Sequence, residues 1–371
     1  MKYIANWATC ALALGLSLTS CKNALDIQPQ QSIDAANAYN TPQKISAAVV
    51  GAYARLDDPR LYGSDLILVP ELLGGDDYID WNGTFQNYRQ LRNHTQDALN
   101  SNALGIWTQA YAAINQCNLI LANLSSVTDA GQRSQYEGEA LFIRGAMYFE
   151  LVRLYGQQYQ PGGANTQDGV PITLTAVAAV EQADVQLPRA SVAQVYTQVI
   201  ADLQAAMQKL PAQNVTRASR YSAEALLSRV YLQQGNYSAA RTAANDVITK
   251  SGANLVGSVA AAFANRNSAE SLFEIQQNDQ NNAGTSNDGL ATYFAGYSPN
   301  GDQSVLYGRG DVRVSGDFAD LYESSDARGT DSLTAITTKK LIYLSDGNSR
   351  STTGECPDED RICLLIAPPD N

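Results

Sequence analysis

The chain has 371 residues, 44% of them hydrophobic, which predicts a globular protein with a large core in one domain or two. Its net charge of -12 argues against a nucleic-acid backbone or an anionic lipid surface as the main partner. Five cysteines are too few and too scattered for a disulfide framework, and the one histidine, His94, excludes a His-rich metal site.

The first twenty residues have the pattern of a bacterial lipoprotein signal peptide. Lys2 gives a basic start, and an uncharged run centred on Ala-Leu-Ala-Leu-Gly-Leu follows it. The run ends in Leu-Thr-Ser-Cys at positions 18–21, which matches the lipobox, in which small residues fit the signal peptidase and the cysteine thiol accepts diacylglycerol. We therefore expect residues 1–20 to be removed and Cys21 to become the lipidated N-terminus. An uncleaved anchor is disfavoured by polar residues in the run, and a cleaved signal with an accidental cysteine is the other alternative.

Most of the chain up to residue 250 has the apolar periodicity of helices. Thr41-Pro42 is typical of an N-cap followed by a first-turn proline, and Ser191 is typical of an N-cap. Residues 60–100 lose the helical period and are expected to be a turn-rich loop, and residues 271–276 are predicted to form a short strand. The predicted helices are 42–56, 102–124, 136–156, 192–210, 221–234 and 236–250.

The helix predicted at 136–156 is apolar nearly all round, so it should lie between other helices. Arg144 lies within this apolar surface and needs a carboxylate or several carbonyl groups. Glu137 is two turns away, so we expect a partner from another helix. Gly145 is expected to let a neighbouring backbone approach closely. Asn118, on the apolar stripe of the preceding helix, is expected to be a buried amide bonded to a backbone carbonyl.

The predicted hairpin at 221–250 follows the tetratricopeptide pattern of paired antiparallel helices. Gly235 should form the turn, Tyr237 should pack on the facing helix, and the small Ala240 and Ala243 should allow close approach. The helix at 136–156 and the one before it form a second such pair. The predicted fold class is therefore mainly α, with tetratricopeptide-like helical pairs and irregular insertions.

Two loop clusters, 76–82 and 278–307, mix aromatic residues with Asn, Asp and Gln. Sugars present ring faces that stack on Tyr and Trp, and hydroxyl groups that pair with amides and carboxylates. Loops projected from a helical scaffold are plausible ligand contacts. This composition favours a binding site for a polar, ring-shaped ligand.

Catalytic and metal sites are less well supported. Asp76, Asp77 and Asp80 could contribute to a glycosidase carboxylate pair, but nothing fixes a second carboxylate opposite them. A calcium-loop-like start at residue 279 has Ala283 and Leu290 at ligand positions, which argues against calcium. Phosphate-binding glycine loops, nucleophile elbows and CxxC motifs are absent from the sequence. We expect no enzyme activity, no metal and no cofactor.

Taken in chain order, these features resemble the SusD/RagB family of surface lipoproteins. The resemblance runs from the lipobox to about residue 330, and the order of its motifs makes it specific. The motifs include Trp107-x3-Tyr111-x2-Ile114-x3-Asn118, Glu139-Ala-x-Phe142-x-Arg144 and the 225–240 hairpin. It implies a tetratricopeptide-like fold and a non-enzymatic role. Family members capture oligosaccharides, or less often peptides, at the cell surface. They act as a lid over a SusC-like TonB-dependent outer-membrane transporter, with the helical pairs facing the transporter and the insertions facing the ligand.

The resemblance also implies candidate ligand contacts, because aromatic residues from two segments form the sugar platform in the family's glycan binders. Carried over to this chain, the candidates are Asp77, Tyr78, Trp81, Asn82, Tyr293, Tyr297 and Tyr307. The implied ligand is a glycan or oligosaccharide, with a peptide as the alternative. The implied location is the outer membrane, with the protein attached through its lipid anchor and exposed at the cell surface.

The expected organisation is a signal peptide at 1–20, a SusD-like α-helical binding domain at 21–349 and an atypical tail at 350–371. Family members usually continue with a further helical block, and none follows Lys340. We interpret the tail as a truncation or a change of reading frame near Arg350. The alternative functions are a tetratricopeptide-like protein-interaction scaffold and, less favoured, a lipid-anchored glycosidase.

Overall fold

The computed structural model describes residues 38–75, 78–179, 182, 186–214, 216–257, 261–262, 267–277, 282–283, 287–294, 309–314, 318, 321, 323 and 362–363. From Tyr39 onward these residues belong to one unit. The predicted signal peptide, the lipidated Cys21 and most of the predicted tail lie outside the described residues.

The described part of the chain is mostly helical, as predicted. Its helices are α1 (Pro42–Leu56), α2 (Asp65–Gly74), α3 (Gln86–Arg92), α4 (Ser101–Ala122), α5 (Ala130–Tyr155), α6 (Val192–Lys209), α7 (Arg220–Gln233), α8 (Tyr237–Lys250) and α9 (Leu290–Phe294), with a 3-10 turn at Leu124–Ser126. The strands are β1 (Ile79–Trp81), β2 (Glu274–Ile275), β3 (Val312–Val314) and β4 (Ile362–Cys363). β1 pairs antiparallel with β3, and β2 pairs antiparallel with β4. Among the described helices, none has the length and apolar character needed to cross a bilayer.

The helix boundaries follow from side-chain capping. Thr41 accepts a hydrogen bond from the backbone N–H of Lys44 at 3.3 Å, and Ser191 and Gln194 form a reciprocal capping box at the start of α6. Gly235 has a φ of +71° at the turn between α7 and α8, as expected for the residue that makes this turn. α5 begins six residues earlier than predicted, because Asp129 caps it through the backbone N–H of Gln132.

Two sequence-based expectations are wrong. The region 60–100 contains α2 and α3, although Pro70 lies inside α2 and turn-forming residues surround both helices. Tyr237 does not pack on the facing helix: it is 69% exposed at the first position of α8. The close approach of α7 and α8 instead rests on the buried Ala240 and Ala243.

α5 is the centre of the helical array, and it packs against α4 on one side and α6 on the other. Arg144 of α5 donates hydrogen bonds to Asp202 of α6 at 2.8 and 2.7 Å and to Asn118 of α4 at 2.9 Å. Asn118 in turn donates to the carbonyl oxygen of Thr173 at 3.0 Å. A Cβ added at Gly145 would lie 3.2 Å from Leu203 Cγ, so this glycine does permit a close helix approach. The expectations for Arg144, Asn118 and Gly145 are thus confirmed.

Candidate ligand-binding site

The strand pair β1–β3 and the packing of Tyr293 on Trp81 bring described parts of the two loop clusters predicted to contact ligand into one region. Ile79 lies opposite Val314 and Trp81 lies opposite Val312 in this pair. The backbone N–H of Asn82 continues the pairing by donating to the carbonyl oxygen of Asp311 at 2.7 Å. The 78–85 segment is therefore held by residues that follow it by more than two hundred positions in the sequence.

Three aromatic rings pack together beside this strand pair. The Trp81 and Tyr88 ring centroids are 4.5 Å apart, Trp81 and Tyr293 are 5.8 Å apart, and Tyr88 and Tyr293 are 5.3 Å apart. Trp81 is only 4% exposed and Tyr293 only 1%. Because their rings are covered by protein, these two residues do not present a stacking surface. They form the buried layer beneath the exposed residues of the region.

A chain of hydrogen bonds links the aromatic cluster to the helical core. The hydroxyl of Tyr88 lies 2.7 Å from Asp65 Oδ1 and 2.9 Å from the hydroxyl of Tyr293, which lies 2.9 Å from Asp288 Oδ1. Asp65 is fully buried at the start of α2, where Arg60 and Asn102 donate to its other oxygen at 3.0 and 3.1 Å.

The series Asp65–Tyr88–Tyr293–Asp288 has three contacts, but its two tyrosine hydroxyl groups supply only two protons. A proton on a carboxyl group would allow all three contacts to be hydrogen bonds. Burial raises the pKa of Asp65, and the hydrogen bonds that it accepts from Tyr88, Arg60 and Asn102 act in the opposite direction. Burial, together with the charge of Asp65, also raises the pKa of Tyr88, so its hydroxyl stays protonated.

An arginine extends the cluster toward solvent. The guanidinium carbon of Arg309 lies 4.9 Å from the ring centroid of Tyr293 and 5.1 Å from that of Phe85, which are cation–π distances. Arg309 Nε also donates to Asp311 at 2.7 Å, which fixes its orientation. Phe85 is 47% exposed, so one part of its ring contacts Arg309 and another part is open to solvent.

The predicted contact residues fall into three groups. Tyr78, at 36% exposure, and Asn82 are accessible at the surface, and the Tyr78 ring meets Phe318 at 5.8 Å. Trp81 and Tyr293 are brought together but buried. Asp77, Tyr297 and Tyr307 lie outside the described residues, as does Asp76 of the glycosidase alternative.

Phe85 and Arg309 were missed by the sequence reasoning. Phe85 follows the Trp81-Asn-Gly turn closely in sequence, and that proximity was the available signal for it. Nothing in the local sequence marks Arg309, whose position depends on the β1–β3 pairing. Within the described residues, no group of three or more His, Cys, Asp or Glu side chains could hold a metal ion.

Residues 25–232, more than half of the chain, match the sequence profile of a SusD-like family described as "Starch-binding associating with outer membrane". The SusD-like protein P2 of Formosa agariphila is 29% identical over 240 residues, which cover 64% of this chain and 45% of that protein. This chain spans about half the length of the curated relatives it matches.

Solved structures agree with the sequence match. A putative sugar binding protein from Bacteroides vulgatus is 26% identical, with a TM-score of 0.67 over 78% of this chain and 64% of that one. A SusD superfamily protein from Bacteroides thetaiotaomicron has the same fold at 22% identity, with a TM-score of 0.72 over 88% of this chain and 73% of that one. The extent of the profile match and the shared fold establish that the chain belongs to the SusD-like family.

Proposed function

We propose that this protein is a cell-surface nutrient-binding lipoprotein that captures an oligosaccharide and delivers it to a TonB-dependent outer-membrane transporter. The observation that carries the proposal is the match of more than half of the chain to a family described as starch-binding and associated with the outer membrane. Similarity to a putative sugar binding protein supports a carbohydrate over a peptide. The role is binding and delivery, without catalysis.

The proposed contact surface is the exposed layer next to the aromatic cluster. Tyr78 and Phe85 offer partly open ring surfaces for stacking on pyranose rings, and Asn82 offers an amide for sugar hydroxyl groups. Asp77, Tyr297 and Tyr307 complete the proposal as further contacts. Trp81 and Tyr293 act beneath this layer, where they keep the exposed residues in position.

The proposed attachment is through diacylglycerol and an acyl chain on Cys21, which places the body of the protein at the outer surface of the cell. The helical pairs formed by α4 to α8 would face a SusC-like transporter, and the β1–β3 region would face the ligand. Co-purification of the lipidated protein with a large β-barrel protein from the native membrane tests this arrangement. Recovery of the lipoprotein without such a partner would contradict it.

Calorimetry with a panel of maltooligosaccharides and other plant and host glycans tests the binding proposal. We expect one or more oligosaccharides to bind, and we expect Phe85→Ala and Tyr78→Ala each to weaken binding by about tenfold with little change in melting temperature. Tyr237→Ala is the control, because it removes an exposed tyrosine from α8, outside the proposed contact surface. Unchanged binding in both site variants would refute the surface, and the absence of any glycan ligand would favour the interaction-scaffold alternative.

A further inference from the structure

A polar cavity of about 400 Å³ lies at the base of the α7–α8 hairpin. Its described lining comes from the α6–α7 connection, the start of α7, the end of α8 and the segment that leads into β2. The lining residues fall at 212–214, 219, 221, 251–253, 267–269 and 271–274. None of them belongs to the contact surface proposed above. Cavities of this size are typical of small-molecule sites.

Two buried polar atoms in the cavity lining have no hydrogen-bond partner among the described residues. Glu274 is 5% exposed, and its Oε1 is unpaired, whereas its Oε2 accepts from the backbone N–H of Asn267 at 2.8 Å. The hydroxyl oxygen of Ser268 is also buried and unpaired. Leaving a buried carboxylate oxygen without a donor is unfavourable. Glu274 and Ser268 both line the cavity, so a donor in the cavity that reaches Glu274 Oε1 when the side chain rotates would supply the missing hydrogen bond.

The walls of the cavity are fixed by contacts to the rest of the fold. The side-chain amide of Gln213 donates to the carbonyl oxygen of Ser251, which joins the α6–α7 connection to the end of α8. The backbone N–H of Asn254 donates to the carbonyl oxygen of Ala269 at 2.9 Å. Phe273 packs edge-on against Phe142 of α5, with 5.2 Å between ring centroids. The unpaired atoms are therefore held in a site whose shape is largely formed in advance.

The lining chemistry limits what the cavity can hold. Glu274 is the one charged side chain among its described lining residues, and the others are hydroxyl, amide, aromatic and small apolar groups. A single carboxylate is too few ligands for a tightly held metal ion. Hydroxyl and amide groups next to the rings of Tyr221 and Phe273 suit a ligand that has both hydroxyl groups and an apolar ring face.

We infer that this cavity is a second binding site, specific for a hydroxyl-rich small molecule of monosaccharide to disaccharide size, neutral or cationic. Glu274 Oε1 accepts a hydrogen bond from a ligand hydroxyl or ammonium group, and Ser268 bonds a second ligand group. The negative charge of Glu274 disfavours anionic sugars. The site goes beyond the proposed capture of oligosaccharides, because it lies on the hairpin and not on the β1–β3 region.

Three sugars with the same ring and different charge test the site: glucose, glucosamine and glucuronate. Ligand-observed NMR and calorimetry on the full chain should show glucosamine binding at least as tightly as glucose, and glucuronate binding most weakly. Glu274→Gln preserves the shape of the side chain and removes its charge. We expect it to lower glucosamine affinity by about tenfold and to abolish the preference over glucuronate.

Two further variants control for misfolding and for the other surface. Ala269→Phe adds a ring to the lining at an exposed position and should block all three sugars, even if Glu274→Gln proves unstable. Phe85→Ala should leave their binding unchanged. The inference is overturned if neither glucose nor glucosamine binds at concentrations up to about 10 mM. It is also overturned if Phe85→Ala removes their binding while Ala269→Phe does not, which would place the sugars on the proposed oligosaccharide surface.

Discussion

Arg144 and Asp202 form a two-bond ion pair between α5 and α6, in which Nε and Nη2 of the guanidinium each donate to a different carboxylate oxygen. Both side chains are more than nine-tenths buried. Arg144→Ala would leave the Asp202 carboxylate uncompensated in the core. We expect a loss of about 3–5 kcal/mol in the free energy of unfolding, measured by urea denaturation.

Lys209→Ala is the matched control for this pair. It removes the ion pair between Lys209 and Glu137, which joins the same two helices at 2.9 Å but is partly exposed. Water and salt screen such a pair, so the expected loss is at most about 1 kcal/mol. Equal effects of the two variants would contradict the central role that we assign to Arg144.

Trp81→Ala should lower the stability of the fold, and any loss of ligand binding should follow from that destabilisation. The indole is buried against Tyr88 and Tyr293, and truncating a buried tryptophan costs about 3–5 kcal/mol. Phe85→Ala, at a half-exposed ring, should cost far less. Thermal unfolding of both variants checks this difference. A Trp81→Ala protein that melts like the wild type would show that the ring is open in solution and available for stacking.

Replacing Asp65 should change how stability depends on pH. The pKa of Asp65 is raised in the folded protein by burial, so its contribution to stability is fully present below the unfolded pKa and is lost as pH rises through the folded pKa. Asn at this position cannot ionise, and its amide can donate to Tyr88. The stability of Asp65→Asn relative to wild type should therefore increase as the pH rises above about 4, the ordinary pKa of an aspartate. Denaturation at several pH values measures this difference, and a constant difference would contradict the raised pKa.

Alanine substitutions at Gly235 and Gly162 distinguish the cost of backbone strain from the cost of steric crowding. Both have positive φ values, +71° and +75°. A Cβ at Gly162 would meet nothing within 4 Å, whereas one at Gly235 would lie 2.7 Å from Pro161 Cγ. We expect Gly162→Ala to cost about 1–2 kcal/mol from the backbone alone. Gly235→Ala should lower the free energy of unfolding clearly more, as measured by chemical denaturation. Equal losses would indicate that Pro161 moves aside at no cost in free energy.

Much of the helical scaffold was predictable, because it is specified by local signals. Thr41 with Pro42, Ser191 and Gly235 lie at or beside helix ends and set those ends by capping or by a left-handed turn. The need of Arg144 for a partner could be deduced from its apolar neighbours, since a buried guanidinium without a carboxylate is too unfavourable to persist. The identity of that partner, Asp202, depends on which helix packs beside α5.

The region proposed to contact the ligand was harder to predict, because tertiary contacts decide which of its aromatic residues are exposed. Trp81 and Phe85 lie four residues apart in similar sequence surroundings, yet one is buried and the other is half open. α2 and α3 escaped detection because Pro70 and the short length of α3 hide their periodicity. Arg309 meets Phe85 through long-range contacts: its backbone N–H donates to Thr292, and β3, which follows it closely, pairs with a strand far away in the sequence.

That long-range pairing has a consequence for the order of folding. The helical pairs α4–α5 and α7–α8 form between neighbouring parts of the chain and can assemble early, whereas β1 must wait for a partner more than two hundred residues later. The β1–β3 contact should therefore be among the last to close and among the first to open. A glycan that binds only the closed form would stabilise this contact by mass action, so its presence would slow local opening there while leaving the early-forming helical pairs unaffected.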